Sequence, residues 1–178
     1  MKKILGFMLC TLLCLTGCVF NTNFNNKSSE VKRLTYTSYD NNFIVEVNKG
    51  WTSVEKGTLN DAADLELIDS ENDKYFLVLM ESKEDFTWTY EEYRDHMFDA
   101  NAEIYQTTVE NIQDIKVGEY NCNFIEFDSN LEGIKFYMQI YIVETDNYYG
   151  QILTWTLNSK KDEYRNEFLE LVKSFKEK

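Results

Sequence analysis

Hydrophobic and polar residues alternate along two short segments in the first half of the chain. The first places Phe43, Val45 and Val47 on one face. In the second, 63–68, the odd-numbered residues are apolar and Glu66 lies among the even-numbered ones. A period of two turns one side of a strand toward the core and the other toward solvent. Both segments therefore predict half-buried strands.

A different pattern marks residues 75–80, which are apolar at every position. Such a run predicts a central strand that is covered on both faces, so helices are expected on each side of the sheet. Three more strand-like segments follow at 120–127, 134–143 and 149–157, with turn-forming residues between them. Their order and short connections predict a meander of antiparallel strands.

The first predicted helix begins after Thr89. Thr89 and Glu92 have the spacing of a capping box, in which each side chain accepts from the other residue's backbone N–H. Trp88 and Tyr93 occupy the positions of the hydrophobic staple that accompanies such a cap. The face expected to pack on the sheet has helical spacing and consists of Tyr90, Tyr93, Met97, Ala100 and Ile104.

A second helix is predicted near the end of the chain, with Ser159 as its cap and Asp162 three residues later. Its apolar stripe consists of Tyr164, Phe168, Leu171, Val172 and Phe175. The predicted elements occupy 35–178, roughly 140 residues, which is enough for one hydrophobic core. One globular domain is therefore expected.

Two segments of this domain resemble a known family. Asn42-Phe43-Ile44-Val45-Glu46-Val47 and the following Asn48-Lys49-Gly50-Trp51 are similar to the opening strand and Gly-Trp turn of the PsbP-like domains, which share a fold with Mog-type Ran-binding proteins. Leu171–Phe175 is similar to their terminal helix, whereas Asn48 stands where the family usually has proline. The resemblance implies an α+β fold, an α/β/α sandwich with a largely antiparallel sheet flanked by helices. It also implies a packing role for Trp51 and no catalytic activity.

The N-terminal segment has the features of a bacterial lipoprotein signal. Lys2 and Lys3 precede an apolar run, and Leu15-Thr16-Gly17 leads directly into Cys18. This order matches a secretory signal peptide over 1–17, and Leu15-Thr16-Gly17-Cys18 resembles the lipobox at which a lipid is attached to the cysteine sulfur. Cys18 is therefore predicted to carry the lipid.

An uncleaved transmembrane helix is the alternative interpretation of the same segment. Ile4 to Phe20 spans 17 residues and includes polar threonines, whereas a spanning helix needs about 20 apolar residues. Length therefore favours the lipidated signal. Residues 18–34 are rich in asparagine and serine, which is typical of a flexible tether between the anchor and the folded domain.

The chain is strongly acidic. Its formal net charge is −13, and removal of 1–17 takes away two lysines and no acid, which leaves −15. Such a surface repels nucleic acid and anionic lipid headgroups. Nucleic acid is therefore excluded as a partner, and the acidity itself favours solubility over a dedicated cation site.

Residues with catalytic or metal-binding chemistry are few and scattered. His96 is the single histidine and lies within the first predicted helix, where a partly exposed position is expected. Cys122 lies on an alternating strand pattern, which favours a buried structural thiol. Residues 69–73 resemble the start of a calcium loop, but Lys74 replaces its essential glycine and Met80 its bidentate glutamate. We therefore predict an acidic hairpin turn, no metal, no cofactor and no enzymatic activity.

Aromatic residues make up 15% of the chain, and one group of them is not assigned to the predicted core. Phe86, Trp88 and Tyr90 lie just before and at the first helix cap. Exposed aromatic side chains often anchor a partner, so these three residues form the candidate binding surface, although core or staple packing also explains them. Tyr148 and Tyr149 are adjacent and must point to opposite faces of their strand.

These observations favour a membrane-anchored extracytoplasmic lipoprotein that acts as a non-enzymatic binding or assembly module for a protein or cell-envelope component. A small-molecule or glycan receptor is the alternative. A hydrolase that uses paired carboxylates is a third hypothesis, and it requires an acid pair that the sequence does not place. A deep polar pocket would favour the last two, and an apolar surface patch the first.

Replacement of Cys18 tests the anchor. Cys18→Ala removes the sulfur that would carry the lipid, so the protein should leave the membrane fraction after an alkaline wash. Cys14→Ala, four residues earlier within the signal, is the matched control and should remain in that fraction. Retention of the Cys18→Ala protein on washed membranes would contradict the lipoprotein interpretation.

Overall fold

A computed structural model describes residues 33–178 of the protein. The predicted signal, the predicted lipidation site Cys18 and nearly all of the predicted tether lie outside the described residues. The first strand begins at Leu34, one residue before the predicted start of the globular domain.

A seven-stranded antiparallel sheet forms the centre of the fold, in the order β3-β4-β5-β9-β8-β7-β6. Its strands are β3 (Thr52–Ser53), β4 (Leu65–Asp69), β5 (Lys74–Ser82), β6 (Gln113–Val117), β7 (Tyr120–Leu131), β8 (Ile134–Glu144) and β9 (Tyr148–Leu157). Strands β7, β8 and β9 form the predicted meander. Its first turn needs positive φ at both central residues, which Glu132 and Gly133 supply at 54° and 86°.

The remaining strands form a small sheet in the order β1-β2-β10. They are β1 (Leu34–Thr37), β2 (Phe43–Val47) and β10 (Lys176–Glu177), and both pairings are antiparallel. Two helices complete the domain, α1 (Tyr90–Ile104) and α2 (Lys161–Val172).

The two faces of the large sheet bury separate cores. One core is formed with α2 and the small sheet, and it includes Phe43, Trp51, Phe76, Tyr141 and Phe168. The other is formed with α1, and it includes Leu77, Tyr93, Phe98, Ile140 and Leu153. The layers give the expected sandwich of a largely antiparallel sheet between helices, a single α+β domain. They also confirm that β5 is covered on both faces.

Helix α1 begins as predicted. The Thr89 side chain accepts from the Glu92 N–H, and the Glu92 carboxylate accepts from the Thr89 N–H. The predicted stripe is wrong at its end, because Ile104 is 54% exposed. The helix ends there, and Tyr105 takes the inward place, with its ring 6.0 Å from that of Phe127.

The cap predicted for the second helix is also wrong. Ser159 lies within a 3₁₀ turn, Asn158–Lys160, and α2 begins after Lys160 without a side-chain cap. Because the turn already leads the chain out of β9, the backbone around Ser159 does not have the extended geometry of an N-cap. The predicted apolar stripe is nevertheless buried throughout, including Phe175, which lies just beyond the helix.

Trp51 closes one end of the α2 side of the core. Its side chain is 2% exposed, and its ring centroid lies 6.5 Å from that of Phe76 and 6.4 Å from that of Phe168. The indole N–H donates to Glu167 at 3.2 Å. Gly50 makes the preceding turn with φ +119°, and a Cβ there would lie 2.6 Å from an Asp69 carboxylate oxygen.

Truncation of Trp51 should be strongly destabilising. Trp51→Ala removes a buried ring and leaves a cavity between β5 and α2, so the free energy of unfolding should fall by about 3–5 kcal/mol. Denaturant unfolding measures this loss, with Trp51→Phe as a control that retains a ring. A loss below about 1 kcal/mol for the alanine variant would contradict the core assignment.

Candidate functional site

The candidate binding surface lies on the chain segment that joins β5 to α1. Ser82 caps a short 3₁₀ turn, Lys83–Asp85, by accepting from the Glu84 N–H at 3.3 Å. The chain then extends through Phe86 to Trp88, and the capping box at Thr89 starts α1. Because both flanking turns are capped, the backbone on either side of Trp88 is fixed by hydrogen bonds.

Beneath this segment is a base of three aromatic rings. The Phe86 ring meets the Tyr93 ring edge-on at 5.5 Å, and the Tyr93 and Tyr149 rings stack at 5.0 Å. Tyr93 is completely buried and Tyr149 nearly so. The Tyr93 hydroxyl donates to Glu81 at 2.9 Å. Burial, and then the Glu81 charge, raise the pKa of Tyr93 far above its ordinary value, so the hydroxyl remains a donor.

Tyr90 has a structural role in the fold. Its hydroxyl donates to the Ile142 carbonyl at 2.8 Å and accepts from the Asn123 N–H at 3.1 Å. Asn123 and Ile142 are opposite each other in the pairing of β7 with β8. Burial raises the pKa of Tyr90 well above its usual value. The polar end of Tyr90 therefore holds the start of α1 against the sheet.

Trp88 is the most accessible of the three predicted residues, at 36% exposed, whereas Phe86 and Tyr90 are half-buried. The Tyr149 hydroxyl donates to the Trp88 carbonyl at 3.1 Å. The indole ring lies 5.4 Å from the Phe86 ring and 5.0 Å from the His96 ring, between centroids. We refer to Phe86, Trp88 and His96 as the Trp88 surface. Ile104 and Ile112 are the other large exposed hydrophobic residues of the described chain.

Acidic residues flank Trp88 along the chain. Four exposed acids lie within four residues of Trp88 along the chain: Glu84, Asp85, Glu91 and Glu92. The nearby cations are engaged with acids, since Lys83 lies 2.9 Å from Glu144 and Arg94 2.7 Å from Asp95. The local potential is therefore negative.

The other residues singled out from the sequence lie apart from this surface or contribute packing. His96 is exposed on α1, as expected, and forms the edge of the Trp88 surface. Cys122 is buried, and burial raises the pKa of its thiol far above the usual range, so it is not an activated nucleophile. Tyr148 and Tyr149 point to opposite faces, as predicted, toward Phe43 and Tyr93 respectively.

The acidic turn at 69–73 connects β4 to β5 as a hairpin. Asp69 is buried, accepts two hydrogen bonds from Asn72, and lies 3.1 Å from Lys74. Lys74 is itself buried and lies 2.7 Å from Glu167 of α2. These carboxylates therefore neutralise an internal cation. Among residues 33–178, no group of three or more His, Cys, Asp or Glu side chains is arranged to hold a metal ion.

Two depressions lie away from the Trp88 surface. The first, lined by Trp51, Glu167 and Leu171 among others, has about 20 Å³ of space, which is room for one water molecule. The second, about 510 Å³, is open to solvent at the β3–β4 edge. Asp69 in its wall is already paired with Lys74. In the part of the chain that the structure covers, no helix is long and apolar enough to span a membrane.

Sequence reasoning located Trp88 but not the groups that hold it in place. Tyr149 is distant from Trp88 along the chain and reaches it through the pairing of β5 with β9, where Tyr149 is the register partner of Glu81. One indication of the role of Tyr149 was available from the sequence, namely that it must point to the opposite face of its strand from Tyr148. No local pattern indicated that the Tyr90 hydroxyl would bind between β7 and β8.

Comparison with known proteins identifies the fold. No protein-family model and no curated protein matches the chain. Among solved structures, cyanobacterial PsbP (CyanoP) from Synechocystis sp. PCC 6803 aligns with a TM-score of 0.63 and 11% identity, over 88% of this chain and 98% of that one. The Saccharomyces cerevisiae Ran-binding protein Mog1p aligns with a TM-score of 0.56 and 12% identity, over 83% and 96%.

Two bacterial structures have the same architecture. LpqN, involved in cell envelope biogenesis of Mycobacterium tuberculosis, aligns with a TM-score of 0.54 and 6% identity, over 83% of this chain and 91% of that one. A Bacteroides thetaiotaomicron protein aligns with a TM-score of 0.58 and 12% identity, and this chain spans 48% of its length. The protein therefore has a PsbP/Mog1-like fold, as the sequence resemblance implied. At these identities, the comparison establishes the fold alone.

Proposed function

We propose that this protein is a membrane-anchored lipoprotein on the extracytoplasmic face, and that it acts as a non-enzymatic binding or assembly module for a protein or cell-envelope component. The observation that carries the proposal is the Trp88 surface. About a third of the surface of Trp88 remains accessible on a base of packed aromatic rings, although full burial would stabilise this large side chain. Exposed, preorganised tryptophans are typical of binding hot spots.

The neighbouring structures support this class of function. Mog1p is a Ran-binding protein, and LpqN is involved in cell envelope biogenesis. A binding role in the envelope also fits the predicted signal and Cys18. Of the two depressions described above, one has room for a water molecule and the other, about 510 Å³, is open to solvent. Neither would bury most of a small-molecule ligand, which disfavours the receptor, because ligand pockets enclose most of the ligand surface.

The position of the first strand, β1, is compatible with an anchored module. β1 belongs to the small sheet on the α2 side, whereas Phe86 and Tyr90 pack on the α1 side of the large sheet. The segment from Cys18 to Leu34 would span about 22 Å if it forms the tether predicted from the sequence. A lipid on Cys18 would therefore hold the domain near the membrane by the face opposite the Trp88 surface.

Site-specific crosslinking in intact cells tests the proposal. A photoreactive phenylalanine analogue at position 88 should form a discrete adduct with another envelope molecule, because the side chain there would lie in the interface. Position 132, in the exposed β7–β8 turn, is the matched control. This turn lies at one end of β8, whereas Tyr149, which contacts Trp88, is paired with Glu144 at the other end, and the 11 residues of β8 span about 33 Å.

The control also defines the contradicting result. Adducts of equal yield from positions 88 and 132 would show non-specific contact, and the absence of any adduct at 88 would remove the proposed binding surface. If the partner is in the membrane, the Cys18→Ala protein should no longer form the adduct at position 88.

A further inference from the structure

We propose that the Trp88 surface recognises a cationic protein segment, with a lysine or arginine side chain of the partner placed against the exposed indole. This inference rests on the proposed function, because it specifies the chemistry of the partner that the module binds. Three independent observations support it: the charge around the indole, an internal contact of the same kind, and the way in which the ring is held.

The charge balance around Trp88 disfavours an anionic partner. Residues 81–99 contain seven acids and only two lysine or arginine residues, Lys83 and Arg94. Both basic side chains are already paired with carboxylates. A neutral apolar partner would desolvate the exposed acids without compensation. A partner with Lys or Arg would supply that compensation and would be steered to the surface by the field.

A cation–aromatic contact of this kind already exists among the residues beneath Trp88. The Lys83 ammonium lies 5.1 Å from the centre of the Tyr149 ring and 2.9 Å from a Glu144 carboxylate oxygen. A cation is thus held between an aromatic face and a carboxylate next to the Trp88 surface. Trp88 and the exposed acids beside it present the same two components to an incoming cation, and indole is the best aromatic acceptor for one.

The indole is also preorganised for this contact. The Tyr149 hydroxyl fixes its backbone, and the Phe86 and His96 rings support it on two sides. Little side-chain freedom remains to be lost on binding, which favours affinity. A guanidinium or ammonium group would bind to the part of Trp88 that remains accessible.

A pair of peptides tests the inference with the full-length protein in non-ionic detergent. The first is a short peptide of arginine and leucine side chains in a glycine–serine background, and the second has citrulline, a neutral isostere, in place of each arginine. The arginine peptide should bind at least about ten-fold more tightly, since both the cation–aromatic and the carboxylate contacts are lost with the charge. Titration by calorimetry gives both affinities.

Three variants separate the contributions. Trp88→Leu retains an apolar side chain but no aromatic face, and it should weaken arginine-peptide binding by about ten-fold. Glu84→Gln, on the rim, should weaken it by a few-fold. Glu132→Gln, at the far end of β8, makes the same change of charge and should leave the affinity unchanged. Thermal unfolding checks that all three remain folded.

Each other outcome overturns the inference. Equal affinity for the two peptides, or no binding of either, would show that the surface does not select a cation. Equal weakening by Glu84→Gln and Glu132→Gln would show diffuse attraction to an acidic protein. In these cases an adduct at position 88 in cells would still support the proposed function, so the two failures are distinguishable.

Discussion

The structure depends on the burial of both faces of the central strands. Phe76 and Val78 of β5 point into the core beneath α2, while Leu77 between them points into the core beneath α1. β8 and β9 are buried in the same way. Because both faces of these strands are apolar and must be kept from water, the chain must supply a covering layer on each side of the sheet. Helix α1 provides one layer, and α2 with the small sheet provides the other.

This requirement also creates the candidate site. The chain must cross from the end of β5 to the start of α1 on one face of the sheet. Tyr93 and Tyr90 fasten the helix to the sheet through Glu81 and through the β7–β8 pair. The crossing segment is thereby held rigidly over Tyr149, and Trp88 at its end is left exposed. A surface that is fixed by the core in this way can bind a partner with little rearrangement.

The buried charges show a second consequence of dense packing. Glu66 is completely buried, and its two carboxylate oxygens accept from four successive backbone N–H groups, those of Gly57, Thr58, Leu59 and Asn60. The Tyr39 hydroxyl also donates to it at 3.1 Å. Burial, and then the Glu66 charge, raise the pKa of Tyr39 to about 12. Glu66 thus organises the loop before β4.

The sequence predicted those features that depend on neighbouring residues. The capping box of α1, the burial of β5 on both faces and the meander all follow from local patterns. β1, β3, β6 and β10 were missed because they are short or polar and are strands only through their partners. The alternation around Glu66 predicts a solvent-facing carboxylate. Its burial could not be predicted, because its backbone donors belong to a loop without a periodic pattern.

The same distinction applies to the candidate site. The exposure of Trp88 could be expected from its place before a helix cap, where it packs on one side only. The hydrogen bonding of Tyr90 to the sheet could not be expected from the sequence, because the pairing of β7 with β8 brings Asn123 and Ile142 to its hydroxyl. Long-range pairing therefore decided which of the three aromatic residues remained available to a partner.

The central claim is that Trp88 serves binding more than folding. The most direct test compares two free energies for Trp88→Ala, that of unfolding in denaturant and that of association with the partner crosslinked at position 88. We expect Trp88→Ala to lose about 1 kcal/mol of folding stability and at least about 2 kcal/mol of binding free energy. A large loss of folding stability with unchanged binding would contradict it.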